Sequence, residues 1–367
     1  MKILLLLLLL CAGTVSYVQA KDSDLMEHLT FQTTLGINLK YLLFVPKDYD
    51  AAKRYPLVVT LRATGSDYIF QVDNNDQAHP WIEDSIQARV PHFIMAPECP
   101  GGSWGGMMGA GTELSQECRA VIQAIEALKK EYSLDTTRFI IGGFSLGGAG
   151  TYHMIQFLPD YWAAACPVGA GGSADAIDVI SETPIWHHQG SNDNGGAALT
   201  RMADALEGHD YPVLRITCDM VVNSPAAWNS EVQKGTKPED IIYKNANPSY
   251  ASVDEAVDAG EKYIYQLING ASHEDSRLNA NHNPLLAKWA FMQTKGSTRA
   301  VTSAPKLTDL RTQRRNAVIT LGNNSTDRVT GRIFTLLGQR QPGRSPKVTN
   351  GTRGLQIRIV SEERSGR

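Results

Sequence analysis

A predicted strand that runs directly into a glycine-rich turn is the feature that most constrains how this chain can fold. Residues 139–141 read Phe-Ile-Ile, and residues 142–148 continue as Gly-Gly-Phe-Ser-Leu-Gly-Gly. The pattern Gly-x-Ser-x-Gly indicates a turn too tight for side chains beside the serine, which lifts the hydroxyl of Ser145 clear of a sheet. An ordinary strand-to-helix turn is the alternative. The β-branched run before the turn and the small residues after it favour a nucleophile elbow, with Ser145 as a candidate catalytic residue.

Apolar runs alternate with helical spacing along most of the chain. The run at 55–61 is apolar without alternation, as in a strand buried on both faces. Strands that alternate with helices predict an α/β fold, with a mostly parallel sheet and helices on both faces. Residues 221–251 break this rhythm and indicate an insertion near the rim of the site. The expected strands are 39–45, 55–61, 93–97, 161–168, 184–188 and 213–218, and the expected helices are 114–132, 197–207, 252–268 and 284–293.

The N-terminal segment has the pattern of an export signal. Lys2 supplies positive charge, residues 3–10 are an unbroken apolar run, and residues 18–20 end in the small residue Ala20. The run is too short to span a bilayer. We therefore expect residues 1–20 to be a cleaved signal peptide, no transmembrane segment, and a secreted, periplasmic or cell-surface protein. A lipoprotein reading of Cys11 is the alternative, although Leu10 stands where a small residue is wanted.

The charge is distributed unevenly between the body of the chain and its C-terminal part. The whole chain carries a net charge of only −3, which identifies no partner. Residues 301–367 hold 13 Lys/Arg and 4 Asp/Glu, which indicates a separate module. The predicted organisation is a main domain at 21–295, a linker at 296–306 and a basic appendix at 307–367, small and β-like or weakly ordered. A solvated or surface-associating appendix is favoured over nucleic-acid binding.

The four cysteines after the signal segment show no pattern typical of zinc. They are widely spaced without any Cys-x-x-Cys pair, so neither a metal nor a cofactor is predicted. Cys166 and Cys218 lie in apolar, strand-like segments and are expected to be buried thiols. Cys99 and Cys118 flank a glycine-rich loop, and export would permit a bridge between them.

A serine nucleophile needs a histidine to take its proton and a carboxylate to orient that histidine. In the elbow-containing hydrolases these residues follow in the order Ser, Asp/Glu, His, each after a strand. Asp193 ends the loop after the predicted strand 184–188 and is the predicted acid. Asp175 and Asp178 are rivals after the preceding strand. The structural alternative for Asp193 is a loop residue that caps helix 197–207.

His273 is the predicted base, because it follows Gly270 in a loop near the end of the main domain. His282, in a polar loop, is its rival. Three other histidines are expected to pack in the core or the pocket wall, because two lie in a predicted strand and one lies on the helix after the elbow: His187, His188 and His153. A metal site at His187, His188 and Asp193 is disfavoured, because neighbours on a strand point to opposite faces.

Two backbone donors are expected to hold the oxyanion that forms when the serine attacks. One is the N–H of Leu146, directly after the nucleophile. The other is expected in the loop at residues 62–65, at Thr64 or Ala63. Trp104 and Trp228, together with Tyr250, are candidates for an aromatic wall that binds a sugar or phenolic ring, with packing under long loops as the alternative.

These motifs together resemble the secreted bacterial predicted-peptidase or esterase group of α/β-hydrolases, which is close to feruloyl esterases, polyhydroxybutyrate depolymerases and phospholipase/carboxylesterases. The resemblance covers about residues 30–295. It rests on the blocks 41–49 with 55–59, 87–91 with 96–100 and Trp104, 143–148, 190–193 and 270–273.

The resemblance implies an α/β-hydrolase fold and a serine carboxylic-ester hydrolase without a cofactor. Its substrate would be a small-molecule or polysaccharide-linked ester, with feruloyl or acetyl esters of plant cell-wall polysaccharide as the leading candidates. A serine peptidase of the same fold and a non-catalytic carbohydrate-binding or surface protein are the alternatives. The oligomeric state stays open.

The chain departs from the group's pattern in three places. Arg62 and Ala63 stand where the group has His-Gly, which bears on the geometry of the oxyanion loop. The insertion at 221–251 bears on the shape of the pocket. The tail around residues 331–340 is similar to C-terminal segments of secreted Bacteroidetes proteins, which implies sorting to the surface or for secretion.

Overall fold

The computed structural model describes residues 21–65, 67–105, 111–193, 197–220, 224–247, 250–296, 318–319 and 359–360. The chain divides into two units, residues 1–300 and 301–367. The predicted signal peptide, and most of the predicted linker and appendix, lie outside the described residues.

Nine strands of the first unit form a single sheet. They are β1 (Glu27–Gln32), β2 (Asn38–Phe44), β3 (Tyr55–Leu61), β4 (Phe93–Pro97), β5 (Leu134–Phe144), β6 (Ala164–Val168), β7 (Ile185–Gly190), β8 (Leu214–Asp219) and β9 (Tyr263–Asn269). Their spatial order is β1-β2-β4-β3-β5-β6-β7-β9-β8. The pairs β1–β2 and β2–β4 are antiparallel, and every other adjacent pair is parallel. The predicted mostly parallel sheet is confirmed.

The burial of each strand explains whether the strand could be predicted from apolar residues in the sequence. Every residue of β3, β4 and β6 is buried, as expected for central strands covered on both faces. The edge strand β1 has no buried residue. It therefore carries little hydrophobic signal, and the apolar pattern did not predict it.

Helices cover both faces of the sheet, as predicted. The described helices are α1 (Tyr68–Asn74), α2 (His79–Ile82), α3 (Asp84–Arg89), α4 (Gln116–Glu131), α5 (Leu146–Phe157), α6 (Ile177–Ile180), α7 (Ala197–Gly208), α8 (Pro225–Gln233), α9 (Pro238–Ile242), α10 (Val253–Ala259), α11 (His273–Asn281) and α12 (Pro284–Met292). Residues of α4 to α7 share one core cluster with the sheet, and residues of α1 to α3, α10 and α12 share the cluster on the opposite face.

The helix α4 shows how local sequence sets an element and its packing. Ser115 caps it, because its side chain accepts a hydrogen bond from the backbone N–H of Cys118 at 3.1 Å. Cys118, Val121, Ile125 and Leu128 are buried. They recur every three or four residues and so form one face against the sheet.

One sequence prediction is wrong in the segment after β8. Residues 252–268 were expected to form one helix, but α10 ends at Ala259 and β9 follows. Gly260 takes the left-handed conformation with φ 79°, which ends the helix. The run Tyr263–Asn269 enters the sheet between β7 and β8, and it is buried except at Leu267 and Asn269. The insertion itself contributes α8 and α9.

In the second unit, the structure describes two short strands, β10 (Val318–Ile319) and β11 (Ile359–Val360), which pair antiparallel. They lie within the apolar runs at residues 316–321 and 355–360, in the segment for which a β-like appendix is one of the predicted forms. Among all described residues, the longest apolar helices fall short of what crossing a membrane requires.

Candidate active site

Ser145 lies between the end of β5 and the start of α5. Its backbone has φ 56° and ψ −117°, a conformation that is strained for a residue with a side chain. The backbone N–H of Ser145 donates to the carbonyl of Val168 on the neighbouring strand at 2.9 Å. The turn is thus tied to the sheet in the sharp conformation of a nucleophile elbow.

Neighbouring backbone leaves no room for a side chain at the two glycines beside the elbow. A Cβ atom on Gly147 would lie 1.9 Å from the carbonyl oxygen of Leu61. A Cβ atom on Gly143 would lie 2.6 Å from the same oxygen. Both contacts are with main-chain atoms, which cannot move aside as a flexible side chain can. The glycines of the motif are therefore required by the approach of β3 and its loop.

His273 reaches the serine from the loop after β9. It is the first residue of α11, where Ser272 and Asp275 form a capping box that fixes the start of the helix. Its Nε2 atom lies 2.9 Å from Oγ of Ser145. Its ring lies 4.5 Å from the ring of Phe144, and the side chain is 36% exposed. The imidazole thus has one packed face and a position open to solvent.

Asp193, in the loop after β7, contacts the other ring nitrogen of His273. Its Oδ2 atom lies 2.7 Å from Nδ1 of His273, and the residue is 8% exposed. Gly190 lets the β7 and β9 loops approach, because a Cβ atom there would lie 2.4 Å from the carbonyl oxygen of Ala271. The structure thus brings together the serine, histidine and aspartate that the sequence singled out.

The rival acids lie elsewhere. Asp175 is exposed in a short 3-10 helix (Ala174–Ala176). Asp178 is on α6 and forms an exposed ion pair with His209 at 2.9 Å.

The rival base His282 is half-buried and His188 is fully buried, and both make their contacts with residues other than Ser145. His282 stacks on Trp228 with 4.5 Å between ring centroids, and burial lowers its pKa to about 3. His188 stacks on Trp186 and lies 3.0 Å from the side-chain amide nitrogen of Asn283, and burial lowers its pKa to about 3.

The other two histidines lie on the opposite face of the sheet from His188. His187 contacts the hydroxyl of Tyr152 at 2.7 Å, and burial lowers its pKa to about 4. His153 on α5 is fully buried. Its Nε2 atom accepts the backbone N–H of Ser115 at 3.2 Å, and burial lowers its pKa.

The loop after β3 lies against the elbow. A Cβ atom on Gly147 would lie 3.0 Å from the carbonyl oxygen of Arg62, so the loop and the start of α5 are in contact. Thr64 is exposed in this loop, whereas Ala63 is buried against Phe144. The N–H of Leu146 is at the first position of α5, where helical N–H groups have no intrahelical acceptor.

The side chain of Arg62 supplies hydrogen bonds that hold this loop in place. The residue is buried, and its guanidinium donates to the carbonyl of Ala63 at 2.7 Å and to that of Cys99 at 3.1 Å. The indole N–H of Trp104 donates to the carbonyl of Arg62 at 3.0 Å. Sequence reasoning treated Arg62 only as a departure from a motif. An arginine directly after the apolar run at residues 55–61 was the available signal.

The aromatic candidates occupy packed positions. Trp104 is 1% exposed and packs under the loop after β3, where its indole N–H donates to the carbonyl of Arg62. Trp228 is 8% exposed and packs against Ile241, Ile242 and Leu278. The hydroxyl of Tyr250 donates to Glu261. These positions correspond to the packing alternative rather than to an open aromatic wall.

The four described cysteines are buried and free, so the bridge considered between Cys99 and Cys118 is not formed. The thiol of Cys118 donates to the carbonyl of Trp104 at 3.2 Å. Burial raises the pKa of Cys99 and Cys118 to about 12. Burial also raises the pKa of Cys166, and that of Cys218 to about 11, which fits the predicted buried thiols. Within the described ranges, no group of His, Cys, Asp and Glu side chains is arranged to hold a metal ion.

The sheet order and the loops that meet at its carboxyl edge define an α/β-hydrolase fold. A solved structure of a thermostable esterase is 25% identical, with 74% of this chain and 64% of that chain covered and a TM-score of 0.54. A feruloyl esterase module from Clostridium thermocellum, complexed with sinapinate, is 16% identical over 74% of this chain and 92% of that one, with a TM-score of 0.47.

Among curated proteins, a bifunctional acetylxylan esterase/xylanase from Neocallimastix patriciarum is 29% identical over 143 residues. The match covers 39% of this chain and 20% of that protein. No protein-family profile matches the chain. The resemblance to esterases of the α/β-hydrolase fold that the motifs predicted is thus confirmed at the level of the fold.

Proposed function

We propose that the protein is a serine hydrolase that cleaves carboxylic esters. The observation that carries the proposal is the unbroken contact from hydroxyl to imidazole to carboxylate. Oγ of Ser145 lies 2.9 Å from Nε2 of His273, and Nδ1 of His273 lies 2.7 Å from Oδ2 of Asp193. Both distances are within hydrogen-bond range, and the order along the chain is that of the α/β-hydrolases.

The geometry supports the following course of reaction. Oγ of Ser145 attacks the acyl carbon while its proton passes to Nε2 of His273, and Asp193 accepts the N–H at Nδ1 and stabilises the imidazolium. The intermediate collapses when His273 protonates the leaving alcohol, which leaves the acyl group on Ser145. A water then attacks this ester and gives one proton to His273. That proton returns to Ser145 as the carboxylic acid leaves.

The oxyanion is assigned to the space between the start of α5 and the loop after β3. The N–H of Leu146 is one donor, and a backbone N–H at Thr64 or Ala63 is the other. Removal of one such donor costs roughly 3 kcal/mol of barrier in other serine hydrolases. Two backbone donors survive the change from His-Gly to Arg62 and Ala63, because neither depends on the identity of the side chain.

The substrates we propose are acetyl or feruloyl esters of plant cell-wall polysaccharide. Support comes from the acetylxylan esterase/xylanase, which is similar over 143 residues, and from the thermostable esterase structure. The chain spans 20% of the first protein and 64% of the second. The export pattern of residues 1–20 supports a location outside the cytoplasm, where such polysaccharides occur.

The test is a panel of methyl ferulate, acetylated xylan and nitrophenyl acetate, with the full chain and the variants Ser145→Ala and Ser230→Ala. Ser230 is an exposed serine on α8 and serves as the matched control. We expect Ser145→Ala to lose roughly 10⁴-fold or more of kcat, since removal of a serine nucleophile has this scale of effect. Ser230→Ala should behave as wild type.

Three outcomes would contradict the proposal. Equal turnover by wild type and Ser145→Ala would remove the serine from the mechanism. Absence of fluorophosphonate labelling in folded wild-type protein would favour a non-catalytic binding protein. Cleavage of peptide substrates without cleavage of any ester would favour the peptidase alternative.

A further inference from the structure

The triad carboxylate receives a hydrogen bond from a residue outside the triad. The side-chain amide of Gln189, on β7, donates from Nε2 to Oδ2 of Asp193 at 2.9 Å. The same oxygen faces Nδ1 of His273 at 2.7 Å. Gln189 and Asp193 are 2% and 8% exposed, so this contact is shielded from water. A hydrogen bond to a carboxylate in such a place is stronger than one between neutral groups at the surface.

The orientation of the Gln189 amide is determined by its partners. Nε2 also donates to the carbonyl of Gly190 at 3.1 Å, so both of its hydrogens face acceptors. Oε1 lies 3.4 Å from Nε2 of His187. A flipped amide would place its oxygen against the carboxylate of Asp193 and the carbonyl of Gly190. Both of these are acceptors, so the flipped form is excluded.

The amide orientation in turn sets the tautomer of His187. Nε2 of His187 must carry the hydrogen that Oε1 of Gln189 accepts, which leaves Nδ1 as an acceptor. The hydroxyl of Tyr152 on α5 lies 2.7 Å from Nδ1 and donates to it. Burial lowers the pKa of His187 to about 4, so the ring is neutral near pH 7. A buried chain of donors therefore runs from Tyr152 through His187 and Gln189 to Asp193.

The chain connects the two structural elements that carry the nucleophile and the acid. Tyr152 is on α5, the helix that begins directly after Ser145, whereas His187, Gln189 and Asp193 are on β7 and its loop. Tyr152, His187 and Gln189 are all at most 2% exposed. His187 and Gln189 are two apart on a strand and so point to the same face, towards α5.

We propose that Gln189 is a positioning residue for catalysis, which holds the Asp193 carboxylate in line with the imidazole of His273. His187 and Tyr152 in turn orient the Gln189 amide through their hydrogen bonds. The inference rests on the proposed ester hydrolase activity. Gln189 touches neither substrate nor the reacting atoms, so its loss should lower the rate of the chemical step and leave substrate binding unchanged. A misplacement of a catalytic group by about 1 Å can cost up to about 100-fold in rate.

The test compares Gln189→Met with Gln266→Met in the full chain, with nitrophenyl acetate as substrate. Methionine has nearly the length of glutamine and no donor. Gln266 is a matched control, because it is fully buried on the adjacent strand β9 and its side chain contacts Trp186 and Cys218 instead of the triad. Thermal unfolding of both variants reports the structural cost of losing a buried amide.

We expect Gln189→Met to lower kcat by about tenfold, with KM within about twofold of wild type, as expected for a displaced catalytic group. The rate of fluorophosphonate labelling of Ser145 should fall in parallel. Gln266→Met should keep the kcat of wild type even if both variants unfold at the same lowered temperature. Wild-type kcat in folded Gln189→Met, or an equal loss in Gln266→Met, would overturn the inference.

A second variant keeps the inference testable if Gln189→Met does not fold. Tyr152→Phe removes only the hydroxyl and should lower kcat by roughly threefold, because its effect passes through the long 3.4 Å contact between His187 and Gln189. Unchanged kcat in Tyr152→Phe would then overturn the inference. If wild type neither hydrolyses the ester nor reacts with the fluorophosphonate, the proposed function itself fails.

Discussion

The elbow and the loop after β3, which we propose as the oxyanion loop, lie against each other but are held in different ways. The elbow is held by main-chain contacts, since Gly143 and Gly147 lie against the carbonyl of Leu61. The loop after β3 is held by side chains, since the guanidinium of Arg62 and the indole of Trp104 supply its hydrogen bonds. A structure enforced by the backbone tolerates only glycine, whereas one held by side chains can be rebuilt with other residues.

This difference explains why the chain keeps the glycine motif at the elbow but departs from the group's His-Gly pattern at Arg62 and Ala63. Where main-chain atoms are crowded, the sequence shows a recognisable glycine pattern, because only glycine lacks the Cβ atom that would clash. Side-chain support leaves no fixed pattern, because another residue can occupy the same space and make equivalent bonds. Four predictions test the comparison, from the largest expected effect to the smallest.

The largest effect is expected from Gly147→Ala. The new Cβ atom would lie 1.9 Å from the carbonyl oxygen of Leu61, and the backbone must shift to relieve this contact. Overpacking of this kind costs about 1–3 kcal/mol or more of stability, and the shift displaces Ser145. We expect at least about 100-fold lower kcat/KM from the displaced nucleophile.

Gly208→Ala is the matched control for the elbow variant. It lies at the end of α7, and no atom lies within 4 Å of its added Cβ. Its activity and thermal unfolding should match wild type. Comparable loss in the two variants would show that the elbow is no more constrained than an exposed helix end.

A smaller effect is expected from Arg62→Met, which removes both bonds of the guanidinium. We expect roughly tenfold lower kcat from a loosened oxyanion loop, which is less than the loss of a donor itself. The unfolding free energy should change less than the lost bonds suggest, because a buried cation is costly to desolvate. Among the described residues, no carboxylate lies within ion-pair distance of Arg62.

Arg62→Lys separates the two roles of the side chain. Lysine keeps the charge but lacks the planar fork that reaches the carbonyls of Ala63 and Cys99 together. We therefore expect Arg62→Lys to have the low kcat of Arg62→Met. Full activity in the lysine variant would mean that charge, and not the paired bonds, matters.

Trp104→Phe should have a milder effect. It removes the indole N–H that donates to the carbonyl of Arg62 and leaves most of the packing. Loss of one buried hydrogen bond costs about 1–2 kcal/mol, and we expect roughly threefold lower kcat. Steady-state kinetics and urea unfolding would check this. An unchanged kcat would show that the loop does not depend on this bond.

The smallest effect concerns acid pH. His153 on α5 accepts the N–H of Ser115, which connects the elbow helix to the segment after Trp104, and burial lowers its pKa below 6.5. The stability that the neutral ring contributes is complete above about pH 6.5 and is lost as the pH falls below that value. The reason is that the unfolded chain then binds a proton that the folded chain excludes.

The variant His153→Gln should make the unfolding free energy less dependent on pH between 7.5 and 5.5. The change is at most about 1.4 kcal/mol per pH unit for one histidine. Urea unfolding at the two pH values measures it. The same pH dependence in both proteins would show that His153 does not exclude the proton.

Sequence order predicted which side chains would meet, because strands of a parallel sheet end at the same edge. Ser145, Asp193 and His273 each come shortly after a strand end, whereas Asp178 lies ten residues beyond the end of β6 and His282 lies beyond α11. The prediction of one helix over residues 252–268 was right for Val253–Ala259 but wrong from Tyr263 onwards, where a strand was taken for a helix. The run Tyr263–Asn269 is short and apolar, and such runs do not distinguish a buried strand from a buried helix by periodicity alone.

The residues that support the site could not be predicted from the sequence. Gln189 donates to Asp193 in the loop after β7, and Tyr152 reaches His187 across 35 positions of the chain. Neither contact follows from spacing, because the first depends on the course of that loop and the second on how α5 lies over the sheet.

The amino-acid sequence by itself determined the elbow, the alternation of strands and helices, and the order of Ser145, Asp193 and His273. These follow from local rules: glycine where the backbone is crowded, apolar runs where strands are buried, and polar residues where strands end. Only the tertiary structure decided that β9 lies between β7 and β8, that Arg62 holds the loop after β3 and that Gln189 contacts Asp193. Those contacts join distant segments, and their energies depend on burial and geometry that arise only when the sheet and its helices pack together.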